Sequence, residues 1–212
     1  MESLDTNTLD DVHHLSDETM RYPAQHKQQT REKIVSAAAR RFCSRGSERA
    51  GIGDLMRDLQ LTHGGFYRHF PSKEELFVAA FEQGLKQLAN HADCAVKHAP
   101  KGGELKALID GYLSLEHCDD AAGGCPIAAL TTEITRRPTK VRGALFNLLI
   151  KHIGSEAKYM SGANDEERNR KVRFLFSGMA GTLNVARLIV DTGQRKKFLE
   201  DARKFYFEAV KQ

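Results

Sequence analysis

The stretch LTHGGFYRHFPSKEELF, residues 61–77, places two glycines, two histidines, a tyrosine and an arginine in one short segment that ends at a proline. Pro71 cannot continue a helix, and the residue before a proline is biased away from helical backbone. A short helix is therefore predicted over 63–69. Apart from Phe66 and Phe70 it has little to bury, so its polar outer side calls for an explanation other than packing.

The flanking sequence predicts a helix on each side of this segment. Apolar residues recur at helical spacing over 52–59, and the next helix opens at Ser72, where Glu75 completes a capping box. Two short helices joined by a turn of three to four residues, the second helix polar, are typical of a helix-turn-helix. The major groove of B-DNA admits one α-helix and offers base edges and phosphates to it. The outer face of 63–69 is therefore predicted to be covered by DNA.

Each residue type in this segment has a chemical reason to contact a duplex. Thr62 can cap the helix and bring a hydroxyl near a phosphate. Gly64 and Gly65 omit side chains where the helix N-terminus, with its partly positive N–H groups, approaches the duplex. The side chains predicted to reach phosphates or base acceptors are His63, Tyr67, Arg68, His69 and Lys73.

Charge is distributed unevenly along the chain. The formal net charge is +4, but every charged residue before Arg21 is acidic. From Arg21 to Glu75 eleven bases face six acids, an excess of five positive charges. This balance favours an anionic partner for the segment. The polar, acidic residues 1–26 show no periodicity and are predicted to form a disordered arm.

Helical patterning continues through nearly all of the remaining chain. Thr30 is predicted to cap the first helix and Gly46 to end it. No stretch alternates apolar and polar residues as a half-buried strand does. The sequence therefore predicts an all-α protein of about nine helices. The later helices are predicted at 72–100, 104–116, 126–136, 139–160, 166–191 and 195–211.

Several classes of protein are not expected. No apolar run approaches the roughly 20 residues of a membrane span, and the acidic N-terminus does not resemble a signal peptide, so a cytoplasmic protein with no membrane contact is expected. The four cysteines form no C-x-x-C pair and are expected to stay reduced. No G-x-S-x-G, H-E-x-x-H or phosphate-binding glycine loop occurs, so neither an enzyme nor a cofactor is expected.

The chain resembles the TetR family of bacterial transcriptional regulators. The resemblance rests on REKIVSAAARRFCSRG at 31–46 and on IGDLMRDLQLTHGGFYRHFPSKEELF at 52–77. It implies that the helix from His63 reads the major groove, that Tyr67 and Lys73 contact the DNA backbone, and that Arg49 or Gly51 lies near a phosphate. Two departures concern Gly51, which stands where the family has a capping threonine or serine, and Gln60, which replaces a turn glycine and must tolerate or avoid left-handed backbone.

The resemblance also implies a homodimer formed by the last two helices, with two heads about 34 Å apart reading a palindrome. The alternative is that the same apolar stripes belong to the chain's own core. The predicted domains are 27–72 for DNA binding and 73–212 for effector binding and dimerisation. The predicted dimer residues are Val172, Leu175, Met179, Leu183, Phe198, Ala202, Phe205 and Val210.

A small-molecule effector is expected to bind between the helices of the larger domain, as the resemblance implies, and to release a repressor from its operator. Glu133 is the polar exception among the candidates, and it either orients a ligand or pairs with a base such as Arg136 or Arg137. The candidate lining residues are Tyr112, Leu113, Ile127, Leu130, Glu133, Phe146, Ile150, Phe176 and Met179.

Two alternatives to this function remain open at the sequence level. Cys118 and Cys125 flank a glycine-rich stretch where a thiol could sense oxidants or electrophiles, although Asp119 and Asp120 oppose the thiolate. The second alternative is an architectural protein that binds DNA without sequence preference. Histidine and cysteine residues recur near 91–98, but this pattern is common on exposed helices, and no metal is expected.

Overall fold

The computed structural model describes the backbone of residues 11–210 and the side chains of residues 24–210. This part of the chain is helical with short connections, which confirms the all-α prediction. A 3-10 turn at Ala157–Tyr159 follows the eighth helix. The α-helices are α1 (Asp11–Arg45), α2 (Ile52–Asp58), α3 (His63–Phe66), α4 (Lys73–Lys97), α5 (Glu104–Tyr112), α6 (Leu115–Asp119), α7 (Pro126–Ile134), α8 (Thr139–Ser155), α9 (Asp165–Ala186) and α10 (Thr192–Ala209).

Helix α1 is much longer than the sequence predicts. It begins at Asp11 rather than at Thr30, so the prediction of a disordered arm is wrong for residues 11–26, and residues 1–10 lie outside the described part. The stretch from 11 to 45 contains no glycine and one proline, and it is rich in alanine, glutamine, glutamate, lysine and arginine. These residues favour helix, so a capping residue such as Thr30 does not force a helix to start there.

Side-chain caps explain two of the other differences in helix bounds. The region 104–116 divides in two because Ser114 accepts a hydrogen bond from the His117 N–H and starts α6. The helix predicted to reach Asp191 ends at Ala186, and Asp191 instead caps α10 by accepting from the Gln194 N–H at 2.8 Å. Helix α3 ends at Phe66, and the backbone continues through turns over 67–69.

Three local predictions in the head are confirmed, and the conformation left open at Gln60 is now established. The Thr62 and Ser72 hydroxyls each accept a hydrogen bond at 3.2 Å from the N–H three residues on. Gly46 ends α1 with a φ of 77°, and Gln60 adopts a left-handed φ of 59° in the turn before α3. The turn therefore keeps the conformation that favours glycine, although a longer side chain occupies it.

The hydrophobic core continues from the head into the body. Phe42, Phe66 and Phe77 lie in one buried cluster that also contains Leu130 of α7 and Leu145 of α8. A second cluster fills the body between α5, α9 and α10. Among residues 11–210 no helix is long and apolar enough to cross a membrane.

A buried polar contact joins the loop after α1 to helix α7. The Ser47 N–H donates to both carboxylate oxygens of Glu133, at 3.1 and 3.0 Å, and the Ser47 hydroxyl donates to the same carboxylate. Arg137 donates to the Ser47 hydroxyl and to Glu74 at 2.5 Å, with its guanidinium 4.2 Å from the Phe77 ring centroid. We call Ser47, Glu74, Glu133 and Arg137 the head–body clamp.

Replacing Gly46 by alanine is expected to destabilise the fold. A Cβ there would lie 2.5 Å from Oε1 of Glu133, and the φ of 77° strains any other residue. We expect the free energy of unfolding to fall by about 2 kcal/mol, as measured by urea denaturation. The control is Gly143→Ala in α8, where nothing lies within 4 Å of the added Cβ and the change is expected to be neutral or stabilising. Equal stability of the two variants would contradict this account.

Candidate nucleic-acid interface and ligand cavity

Helices α2 and α3 form a tight helix-turn-helix that rests on α1 and α4. Phe66 and Phe70 are almost fully buried, as the sequence predicts, and their rings stack with centroids 5.7 Å apart. The Leu61 N–H donates to the Met56 carbonyl at 2.8 Å and closes the turn between the helices. One side of α3 is thereby fixed against the core, and its other side faces outward.

The outward side carries most of the predicted DNA contacts. Tyr67 is 60% exposed, and its ring is held edge-on against Phe66 and His63 at centroid distances of 5.2 and 6.0 Å. The remaining predicted contacts are exposed at Arg49, Thr62, His63, Gly64 and Arg68 and partly exposed at Gly51, Gly65, His69 and Lys73.

The two glycines of α3 differ in their surroundings. A Cβ at Gly64 would meet nothing within 4 Å, so nothing inside the described chain requires glycine there. A Cβ at Gly65 would lie 3.2 Å from the capping hydroxyl of Thr62 and 3.9 Å from Met56. Packing within the head therefore also favours glycine at this position. Gly51 precedes α2 without any side-chain cap, in agreement with the loss of a hydroxyl there.

Basic groups from two elements converge beside α3. Burial lowers the pKa of His69, and the positive charges of Lys27, Arg31 and Arg68 lower it further. The Arg31 guanidinium lies 4.7 Å from the Phe70 ring centroid, and Nδ1 of His69 is buried without a hydrogen bond to a described residue. Sequence reasoning did not assign Lys27 and Arg31 to the site, although both stand one turn apart on α1.

A cavity of about 350 Å³ lies in the body between α4, α5, α8 and α9. Three of the predicted lining residues, Tyr112, Phe176 and Met179, lie on its walls. The prediction is wrong for the others, which do not line it. The six residues outside the lining are Leu113, Ile127, Leu130, Glu133, Phe146 and Ile150.

These six residues have other places in the fold. Leu113 is fully buried in the body core, and Leu130 belongs to the head core. Ile127 packs against both cores, and Phe146 is 60% exposed on the outside of α8. Ile150 is partly buried. Glu133 instead holds the loop at Ser47 and pairs with Arg137 at 3.7 Å, which was the alternative to a ligand contact.

The predicted dimer residues also need correction. Val172, Leu175 and Met179 line the cavity, and Leu183 and Val210 are buried in the chain's own core, so none of these can meet a partner. Ala202 packs against the same core. Apolar residues occupy two faces of α9, and the sequence pattern does not reveal which face is inside. The exposed apolar side chains of this region are Phe174, Val185, Leu188, Val190, Phe198 and Phe205. Of the predicted dimer residues, only Phe198 and Phe205 are among them.

Hydrogen bonds fix one polar wall of the cavity. Nδ1 of His117 donates to the Tyr112 carbonyl at 2.6 Å, and Nε2 accepts from the Cys125 N–H at 3.1 Å. Burial lowers the pKa of His117, and burial alone lowers that of His152. Both imidazoles are therefore neutral near neutral pH. The sequence pattern did not predict this wall.

The two cysteines proposed as a redox sensor are buried. Cys118 and Cys125 are 2% and 0% exposed, and burial raises the pKa of both thiols. A raised pKa lowers the thiolate fraction and with it the reactivity. The flexible, accessible thiol that the alternative requires is therefore not present at either position. Among the residues with described side chains, no group of three or more histidine, cysteine, aspartate or glutamate residues could hold a metal ion.

Comparisons with known proteins agree with this geometry. Residues 34–80 match the family profile described as bacterial regulatory proteins, tetR family. The A-factor receptor protein of Streptomyces griseus is 35% identical over 83 residues, covering 39% of this chain and 27% of that protein. The HTH-type transcriptional regulator LmrA of Bacillus subtilis is 26% identical over 117 residues, covering 54% of this chain and 62% of LmrA. The chain thus spans between about a quarter and three-fifths of these curated relatives.

Solved structures are similar over most of the chain. A TetR transcriptional regulator from Chloroflexus aurantiacus has a TM-score of 0.68 at 22% identity, covering 89% of this chain and 97% of that one. A TetR transcriptional regulator from Legionella pneumophila has a TM-score of 0.66 at 20% identity, covering 85% and 97%. At these identities the likeness concerns the fold.

A helix-turn-helix head that shares its core with a helical body defines a class of regulatory proteins. Residues 34–80 belong to the TetR family of bacterial transcriptional regulators by their family profile, and LmrA and the Chloroflexus structure are similar to the chain beyond this segment. The family is non-enzymatic, in agreement with the expectation that the chain is not an enzyme.

The four thiols are expected to differ in reactivity. Iodoacetamide at mildly alkaline pH should label exposed Cys94 first, whereas Cys118, Cys125 and Cys43, whose pKa is raised to about 12, should react only after unfolding in urea. Mass spectrometry of tryptic peptides measures the labelling, with Cys94→Ser as the control. Labelling of native Cys118 or Cys125 at the rate of Cys94 would restore the thiol-sensing alternative.

Proposed function

We propose that the protein is a sequence-specific DNA-binding repressor that a small molecule releases from a palindromic operator. The observation that carries the proposal is the outward side of α3, where Tyr67, Arg68 and His63 are exposed around an open Gly64. These exposed polar side chains do not contribute to the packing of the core. Base edges and phosphates of DNA offer them hydrogen-bond and charge partners. Lys27 and Arg31 add positive charge on the same side.

The domain division that we propose places DNA binding in residues 27–72 and effector binding and dimerisation in 73–212. The cavity belongs to the second region and the helix-turn-helix to the first. Helix α7 joins them, because its N-cap residue Cys125 donates to His117 at the cavity wall and Glu133 near its other end accepts from Ser47 in the head. An effector that favours another placement of α7 would shift the population of head positions.

Substitutions on the outward side of α3 should separate affinity from sequence preference. Tyr67→Phe and Lys73→Ala are expected to weaken binding to all duplexes about three- to tenfold, since they remove phosphate contacts. His63→Ala and Arg68→Ala are expected to change the preferred bases by about 1–3 kcal/mol per position. Fluorescence anisotropy at fixed salt, on sites selected from genomic fragments and on shuffled sites, measures both effects.

The control for lost positive charge is Lys106→Ala, an exposed base on α5, a helix whose Leu105 and Ile109 pack in the body core. This variant should bind the selected sites as the unmodified protein does. Unchanged affinity and site choice in all four head variants would refute the assignment of α3 to the groove. Equal affinity for selected and shuffled sites would favour the architectural alternative.

The homodimer that we propose uses the exposed apolar side chains of α9, of α10 and of the connection between them. Phe174 and Leu188 are 74% and 79% exposed, so covering them would remove a large apolar area from water. Phe174→Glu and Leu188→Glu are expected to yield monomers in analytical ultracentrifugation and to weaken operator binding, because a single head reads half a palindrome. Phe146→Glu, an equally large change on α8, should leave the dimer intact. A monomeric unmodified protein would contradict the proposal.

A further inference from the structure

The charged residues that line the cavity are all acidic. Glu116, Asp120 and Glu156 contribute carboxylates, and no lysine or arginine is among the lining residues. The partly buried Arg187 lies behind the wall, where its Nε donates to the Cys118 carbonyl at 3.0 Å, and it does not line the cavity. A ligand with an anionic head group would therefore find no positive partner on these walls.

An aromatic cluster forms the inner side of the cavity. The Tyr112 ring packs edge-on against His117 and Phe176, with centroids 4.9 and 5.5 Å apart, and His152 lies 6.2 Å from Phe176 in the same manner. Aromatic faces attract cations through their quadrupole, more strongly where water is excluded. Because both imidazoles are neutral, they do not repel a cation.

Glu156, the residue that caps the C-terminus of α8, follows His152 by one turn and lines the cavity with this cluster. Its carboxylate is half-buried, and burial raises its pKa in spite of the positive charge of Lys158. It accepts a single long hydrogen bond, at 3.4 Å from the Ser155 hydroxyl. A carboxylate in such surroundings is stabilised by any cation that enters the cavity.

Tyr112 supplies a second polar group. It is 8% exposed, and its hydroxyl makes no hydrogen bond of normal geometry with a described residue. Its polar neighbour is the thiol of Cys125, which is a weak acceptor. A buried donor in this position favours a ligand that brings an acceptor of its own.

We propose that the effector is an amphipathic organic cation, with its ammonium or amidinium group held between Glu156 and the rings of Phe176 and Tyr112. Its apolar body packs on Leu88 and Leu175. This inference rests on the proposed function, because it names the chemical class of the effector. Neutral apolar molecules fit the walls but leave Glu156 uncompensated, and anions are repelled by it.

The test compares ligands of one shape and opposite charge. Phenylbutyltrimethylammonium and phenylbutanesulfonate have the same apolar body, and calorimetry on the full chain measures their binding in the absence of DNA. We expect the cation to bind at least about tenfold more tightly than the sulfonate, which corresponds to about 1.4 kcal/mol. Equal affinity, or tighter binding of the sulfonate, overturns the proposal, as does failure of both probes to bind.

Variants of one residue then locate the charge. Glu156→Gln keeps the size of the side chain and is expected to weaken the cation about tenfold while leaving the sulfonate unchanged or slightly tighter. Glu156→Lys should reverse the preference. The matched control is Glu166→Gln, an exposed carboxylate in the first turn of α9 outside the cavity, which should change neither affinity. Loss of cation preference in the control alone, or its survival in both Glu156 variants, overturns the assignment.

The same protein samples are tested for DNA binding, so that the two proposals fail separately. A protein that binds operator DNA but shows no preference for the cation refutes the effector class and leaves the regulator in place. A protein that prefers the cation through Glu156 but binds no duplex refutes the repressor and leaves the ligand site in place. A thermal shift of the Glu156 variants confirms that they are folded before either result is read.

Discussion

The position of the head on the body depends on one carboxylate. Glu133 accepts the backbone N–H and the hydroxyl of Ser47, a fully buried serine that lies 86 residues earlier in the chain. A buried N–H without a partner would destabilise the loop by about 1–3 kcal/mol, so this loop is stable only while α7 is in place. Gly46 makes the contact possible, because its φ of 77° turns the chain and its missing Cβ leaves room for the carboxylate.

Helix α7 is held at both ends by hydrogen bonds and along its length by packing. The Cys125 N–H donates to His117 at the cavity, and Glu133 accepts from Ser47 in the head. Between these ends Pro126 packs on Gly84 of α4, where an added Cβ would lie 3.1 Å from the proline ring. We expect a short helix fixed in this way to move as a unit, so that in the proposed mechanism a ligand that displaces His117 acts on the clamp without touching the head.

The sequence predicts local structure well, but it predicts poorly which face of a helix packs against the rest of the protein. The caps at Thr62 and Ser72 and the buried Phe66 and Phe70 depend on neighbours a few residues away, and all were predicted correctly. The inner and outer faces of α9 carry apolar residues at the same helical spacing, so Leu175 and Phe174 look equivalent until the packing of α5 and α8 is known. The residues that line a cavity are harder still to predict from sequence. A residue lines a cavity only where the neighbouring helices leave a space, and the spacing of apolar residues along one helix does not show where that happens.

In the repressor mechanism that we propose, the energies favour a shift of the clamp over its rupture. Lowering operator affinity about a hundredfold requires an effector to prefer one head position by about 2.7 kcal/mol. Each hydrogen bond to a charged group such as Glu133 contributes about 1.5–3 kcal/mol, so weakening one or two of them supplies the whole coupling. The shared apolar core around Phe77 and Leu130 is unaffected by such a change and keeps head and body joined. The proposed mechanism therefore requires an effector to weaken the clamp and not to break it.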